Sequence, residues 1–215
     1  MQPYKFREDA PWLWWRRNYY LLRSQLRGRF SPSDLQERSG LEYLGSGWEW
    51  SAYLNSDTNR IEKYSAGKFD FVNAPEYLAS IEENYRILRR LDPDLCVPTI
   101  FKREHGENKI TQRQVKPFDE WFYFRSLPTN KRTALSQLIV TLQTCLDTHV
   151  WLPDVRPKYW VVAGYLSNLT WNEDFEKFQI LDFSAALDLF RVDPEFTKSQ
   201  VRHFNYTLTQ IKKKL

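Results

Sequence analysis

The stretch LEYLGSGWEWSAYLNSDTNRIEKY, residues 41–64, decides the fold class. It holds three short β-prone runs at 41–44, 51–54 and 60–64. Gly45-Ser46-Gly47 separates the first two, and Asn55-Ser56-Asp57 separates the second from the third. Alternating runs punctuated by Gly, Asn and Asp pair with their sequence neighbours, so the stretch reads as a three-stranded antiparallel meander.

Downstream, Leu78, Ile81, Tyr85 and Leu88 recur at helical spacing. Pro75 suits a first helical turn, and Asp92-Pro93-Asp94 ends the pattern, giving a helix over 75–91. Residues 97–103 and 109–115 read as a fourth and fifth strand, joined by the turn His105-Gly106-Glu107-Asn108. After residues 117–121 the pattern becomes helical over 130–148, with Leu135, Leu138, Ile139, Leu142 and Leu146 on one face. Short strands are expected at 160–162 and 178–181, with the polar stretch 172–177 between them. A helical tail runs from Asp193 to Lys212-Lys213-Lys214. The fold class is therefore α+β, with a five-stranded antiparallel sheet lobe carrying one helix at 41–118 and a reduced helical lobe at 119–215.

Residues 1–40 differ in character. Between Pro11 and Pro32 stand five arginines and no acid, interleaved with aromatics and leucines. Ser31-Pro32-Ser33-Asp34 signals the start of a short helix over 34–38. Three readings of this arm stay open: a helix packing its aromatic side on the sheet lobe, an interfacial helix making peripheral contact with a membrane, or a nucleic-acid-binding segment.

Composition narrows the function classes. The net charge of +4 suits an anionic ligand or a membrane surface and does not call for nucleic acid. Cys96 and Cys145 stand far apart without metal-ligand spacing, so both are expected as buried free thiols in a reducing compartment. His105, His149 and His203 form no zinc pattern. The longest apolar run, 159–166, is short of the roughly 20 residues that span a bilayer. No secretory leader pattern is visible, and the expectation is a cytoplasmic protein.

Several residues carry potential chemistry. Gly45 and Gly47 between two strands let backbone approach a triphosphate without Cβ clashes; the ordinary alternative is a tight hairpin. Lys63 shares a strand face with Ile61, and an inward ammonium is costly unless paired or bound to an anion. Glu82 and Glu83 lie in the 75–91 helix, and Glu83 is the preferred partner for that lysine; the alternative is a solvated helix face. Asp154 follows Pro153 after the long helix, where a carboxylate suits a general base, and Arg156 suits neutralisation of a transferred phosphoryl group. Asp182, after the run 178–181, suits a Mg²⁺ ligand or, alternatively, a helix cap.

In order and spacing this set resembles the protein-kinase-like superfamily, with its Gly-x-Gly, Val-x-x-Lys, helical Glu, His-Arg-Asp-x-Lys-Pro-x-Asn and Asp-Phe-Gly. The resemblance covers about 41–190 and rests on Gly45, Gly47, Lys63, Glu83, the run from Asp154 to Tyr159, and Asp182-Phe183-Ser184. It implies a bilobal fold in which Lys63 holds the ATP phosphates, Glu83 pairs with it, Asp154 is the base and Asp182 binds Mg²⁺.

The chain also departs from the pattern. Trp50 stands at the third glycine, Leu152-Pro153 at His-Arg, Tyr159 at the second metal ligand and Ser184 at the last glycine. The long spacing from Asp154 to Asp182 suggests an inserted hairpin near 164–175, in which Asn168 offers a replacement ligand. No Ala-Pro-Glu motif follows Ser184, and the layout lies nearer to small bacterial kinase-like proteins, such as the lipopolysaccharide core sugar kinases and the YrbL-like proteins. The resemblance implies ATP-dependent phosphorylation of a hydroxyl on a small molecule, sugar or lipid-linked glycan. The alternative is a pseudokinase that serves as a nucleotide-binding or protein-interaction module.

Overall fold

Side chains that alternate along 41–64 do fold as a meander: β1 (Leu41–Ser46), β2 (Ser51–Asn55) and β3 (Arg60–Tyr64) pair antiparallel in sequence order. The computed structural model describes residues 38, 40–46, 50–65, 73–118, 121–149, 153, 155, 157–183 and 194–215. The arginine-rich arm, including the helix expected over 34–38, lies outside the described residues except for Arg38 and Gly40. The chain divides into two compact units, one ending at Leu78 and taking up Ile100–Gln114, the other comprising Ala79–Thr99 and Val115–Leu215.

In the first unit, β4 (Thr99–Glu104) and β5 (Glu107–Arg113) complete a five-stranded antiparallel sheet of order β1-β2-β3-β5-β4, only Thr99 falling to the other unit. The β4–β5 turn is tighter than the expected four residues. His105 and Gly106 both take positive φ, 51° and 83°, as a two-residue hairpin of the right twist requires. Glu107 and Asn108 join the strand because Asn108 is anchored on all sides. Its N–H donates to Ser65 Oγ at 3.0 Å, its Nδ2 donates to the Ala74 carbonyl at 2.8 Å, and its Oδ1 accepts from Arg103.

The register sets the two sheet faces. Ala52, Lys63 and Ile110 stand opposite one another in one row, and Tyr53, Glu62 and Thr111 in the next. Lys63 and Ile61 do share a face, but Glu62 and Tyr64 on the other face are the more deeply buried residues of β3. The reason is local pairing. Tyr64 Oη donates to Glu62 Oε2 at 2.5 Å, Asn55 Nδ2 donates to Oε1 at 3.2 Å, and Lys109 Nζ lies 3.1 Å from Oε2. The Arg38 guanidinium lies 3.7 Å over the Tyr64 ring and pairs with Glu107. Burial alone would raise the Glu62 carboxyl, yet the hydrogen bonds from Tyr64, Lys109 and Asn55 hold it below its ordinary range. For Lys109 burial opposes the charge, and the bonds to Glu62 and Tyr64 outweigh it and hold the ammonium above its ordinary range.

The second unit is helical, as expected, but it also carries short strands. It contains helix α1 (Pro75–Leu91) from Ala79 onward, α2 (Thr129–His149) and α3 (Pro194–Lys214). Beside them stand two small sheets. One joins β6 (Pro117–Phe118), β10 (Leu169–Asn172) and β11 (Lys177–Ile180). The other joins β7 (Phe122–Tyr123), β8 (Lys158–Tyr159) and β9 (Ala163–Tyr165). Residues 160–162, expected as a strand, are instead the apex between β8 and β9; β10 falls inside the hairpin expected near 164–175, but its partner is β11, beyond that range. Leu135, Leu138, Ile139, Leu142, Cys145 and Leu146 form the buried stripe of α2, and Leu208 and Ile211 bury the inner face of α3. Gln143 Nε2 links the two helices through Asn205 Oδ1 at 3.0 Å and Thr209 Oγ1 at 3.1 Å.

The ion pair around Glu62 predicts a measurable stability term. Lys109→Met leaves the carboxylate buried without its cation and should cost about 3 kcal/mol in denaturant unfolding at neutral pH. Because the folded-state Glu62 pKa is depressed, its contribution is present above about pH 4.5 and lost as pH falls through the folded value. The stability gap between wild type and Glu62→Gln should therefore be constant at neutral pH and shrink in acid.

Candidate functional site

Alternation and helix periodicity bring the Asp182 segment to one end of a hairpin. Leu169 lies opposite Ile180 in the last rung of β10–β11, so Asn168 and Leu181 follow at the open mouth. There the Leu181 N–H donates to the Asn168 carbonyl at 2.8 Å. Asn168 takes φ of 55°, a left-handed conformation that asparagine tolerates better than most residues. Asp182, the next residue out, is half-buried.

Asp182 is held from its other side as well. Phe183 is almost fully buried, with the Tyr85 ring edge-on at 5.0 Å. Asn84 Nδ2 donates to the Phe183 carbonyl at 3.0 Å. Both partners come from α1. Asn84 was not singled out from the sequence, although its spacing from Ile81 and Leu88 places it on the buried stripe. A buried amide on such a stripe needs a polar partner, and that was the available signal.

The hairpin is also strapped to the loop after α1. The Ile180 N–H donates to the Leu95 carbonyl at 2.8 Å, and the Val97 N–H donates to the Ile180 carbonyl at 3.2 Å. Lys177 Nζ sits 3.2 Å from Asp92 and 3.3 Å from Asp94, and Gln179 Nε2 donates to the Asp94 carbonyl at 2.9 Å.

Asp154 and Arg156 lie outside the described residues. Their neighbours Pro153, Val155 and Pro157 are buried, and the Ser167 N–H donates to the Val155 carbonyl at 2.8 Å. The backbone of this segment is thus tied to the residue that precedes Asn168. Tyr159 stands elsewhere, in β8 opposite Gly164, with its ring 6.2 Å from Phe124. At the mouth of the hairpin the residue beside the Asp182 segment is Asn168.

The remaining candidates occupy the following places. Lys63 is half-buried in β3 of the first unit. Gly45 is not in a turn but inside β1, at an irregularity where Tyr43 faces Tyr53 and Gly45 faces Ala52, so that Leu44 is the extra residue of a bulge. Gly47 lies outside the described residues. Trp50 is buried and stacks on Tyr77 with ring centroids 6.4 Å apart. Glu82 and Glu83 are engaged along their own helix: Glu82 Oε1 accepts from Arg86 at 2.7 Å, and Glu83 Oε1 accepts from Arg90 at 2.6 Å. Arg86 also approaches Glu83 Oε2 at 3.8 Å.

Cys96 and Cys145 are free and buried, as expected. Burial pushes the Cys145 thiol up to about 12 and Cys96 further still, so neither supplies a thiolate nucleophile at neutral pH. Among the described residues no three His, Cys, Asp or Glu side chains gather as a metal cage. Asn168 and Asp182 are hard oxygen donors, and one or two such donors suit Mg²⁺, which keeps waters and substrate phosphates as its other ligands.

Compared with known proteins, the sequence matches no family model and no curated sequence.

The anchoring of Phe183 is open to a direct test. Asn84→Ala leaves the buried Phe183 carbonyl without its donor, at an expected cost of about 1–3 kcal/mol. Phe183→Ala should cost about 3–5 kcal/mol. In hydrogen exchange, both variants should show the Leu181 amide losing protection.

Proposed function

We propose that the chain is an atypical kinase-like phosphotransferase that uses ATP and Mg²⁺ to phosphorylate a hydroxyl of a small molecule, sugar or lipid-linked glycan. The observation that carries this reading is the closed mouth of β10–β11. One backbone hydrogen bond sets Asn168 and Asp182 at the same end of a rigid hairpin, with Phe183 locked behind them.

In this reading Asn168 and Asp182 hold the metal and Lys63 binds the nucleotide phosphates. Asp154 takes the proton of the acceptor hydroxyl, and Arg156 balances the charge on the transferred group. Bound Mg²⁺ supplies charge neutralisation at the phosphate oxygens. Support from α1 and from the strap to Leu95 and Val97 holds the backbone that carries Asn168 and Asp182, which favours positioning-based catalysis.

One observation favours the second reading, a pseudokinase. The Glu83 carboxylate is already engaged by Arg90 and Arg86, so a clamp on Lys63 requires it to leave those partners.

Thermal unfolding with ATP, with and without Mg²⁺, separates the outcomes. The expected result is a Mg²⁺-dependent rise in midpoint, equivalent to about 2.7 kcal/mol when ATP stands at a hundredfold over its Kd. Asp182→Asn and Asn168→Ala should each weaken nucleotide binding at least tenfold, and Lys63→Ala should abolish the shift. Asp154→Asn should keep binding and lose ADP formation. Metal-independent binding without ADP formation, or no nucleotide binding at all, would reject the phosphotransferase and favour the pseudokinase.

A further inference from the structure

The β8–β9 hairpin breaks a local rule at its apex. Trp160 and Ala163 exchange both backbone hydrogen bonds, at 2.8 and 3.3 Å, so Val161 and Val162 are the two loop residues of a tight turn. Such loops favour Gly, Asn and Asp in positive φ, and both valines keep negative φ. Two β-branched residues at this place gain nothing from the turn and bury nothing in the fold: Trp160, Val161 and Val162 are 68%, 73% and 62% exposed. A choice that opposes both turn chemistry and burial points to a role outside the fold.

The rows behind the apex are ordered. Tyr123 pairs with Ala163 in the first row and is exposed. The Trp121 ring lies tilted against Trp160 and Tyr165, with centroids 5.4 Å and 5.5 Å away. Lys158 pairs with Tyr165, and its Nζ lies 5.0 Å over that ring. At about 3.3 Å per residue, Lys158 stands about 10 Å behind Val161. Aliphatic tip, then Trp and Tyr, then a cation is the sequence of layers met on entering a bilayer from the acyl boundary outward, over the 5–10 Å that interfacial elements typically penetrate. Charge agrees with an anionic surface. Arg125 and Lys158, on the segments that form this hairpin sheet, are both exposed. The backbone is braced for the task, because the Phe124 N–H donates to the Val162 carbonyl at 3.2 Å.

We propose that the Trp160-Val161-Val162 apex of this hairpin inserts into the surface of a bilayer that carries anionic lipid, with Trp121 and Tyr123 at headgroup level and Lys158 and Arg125 on lipid phosphates. The inference stands on this hairpin alone and does not depend on nucleotide chemistry.

The test is cosedimentation of the full chain with vesicles of phosphatidylcholine alone and of phosphatidylcholine mixed with phosphatidylglycerol. Wild type should pellet with the mixed vesicles. The double variant Val161→Asp, Val162→Asp should partition at least about tenfold more weakly, with an unchanged thermal midpoint because both sites are exposed. Lys158→Glu should lose about fivefold on the anionic vesicles and little on neutral ones. The proposal fails if wild type stays in the supernatant. It fails equally if the double variant partitions as wild type does, which would assign binding to another surface such as residues 12–30. Apex-dependent self-association seen by light scattering, without vesicle binding, would replace the bilayer by a second copy of the chain.

Discussion

The node of the second unit is the antiparallel hairpin β10–β11, and its decisive contact is the hydrogen bond from the Leu181 amide to the Asn168 carbonyl. The backbone around Asn168 and Asp182 is secured through this hairpin. Its β10 edge pairs with β6, with Leu169 opposite Phe118. Its β11 edge meets the loop after α1 through Ile180, Lys177 and Gln179. Beyond its mouth, Phe183 is gripped by Asn84 and Tyr85. Buried backbone polar groups must be paired, and here those obligations are met by segments distant in sequence, which limits how far Asp182 can stray.

The first unit solves a different problem. Its sheet carries an ionised, hydrogen-bonded cluster on the side of Glu62 and Tyr64, where apolar side chains would be the cheaper filling. Such clusters add little net stability compared with a hydrophobic replacement, but they penalise alternative registers heavily. A one-residue slip of β3 would turn Glu62 away from Lys109 and Asn55 and bring Lys63 to their side. The cluster therefore fixes which side of the sheet Lys63 occupies.

Much of this was legible in the chain. The strand Arg60–Tyr64 and the helix Pro75–Leu91 match their expected bounds, because strict alternation and a clean apolar stripe leave few competing solutions. The hairpin expected near 164–175 was displaced toward the C-terminus, to Leu169–Ile180, because the polar residues 173–176 form its turn and not one of its strands. Trp160–Val161–Val162 was misread because β-branched and aromatic residues signal strand strongly, and their exposure is invisible in sequence. Asp182 was singled out from its own motif. Asn168 was seen only as an alternative, because its place is set by pairing with Leu181 rather than by anything adjacent in sequence. Asn84 escaped notice because its partner is a backbone carbonyl 99 residues away. Gly45 looked like turn chemistry and proved to be a bulge residue, since a glycine in a short run serves either purpose equally well.

The carboxylates on the outer side of α1 carry a last implication. Glu83 meets Arg90 and Arg86 in water, where an exposed ion pair is worth only about 0.2–1 kcal/mol and fades with salt. Such an acid is on loan to its neighbours. A cation outbids them where its pairing with the carboxylate repays the cost of desolvation, and the vacated guanidinium groups simply return to solvent. A carboxylate held this loosely is a reserve of negative charge that the helix can surrender without melting.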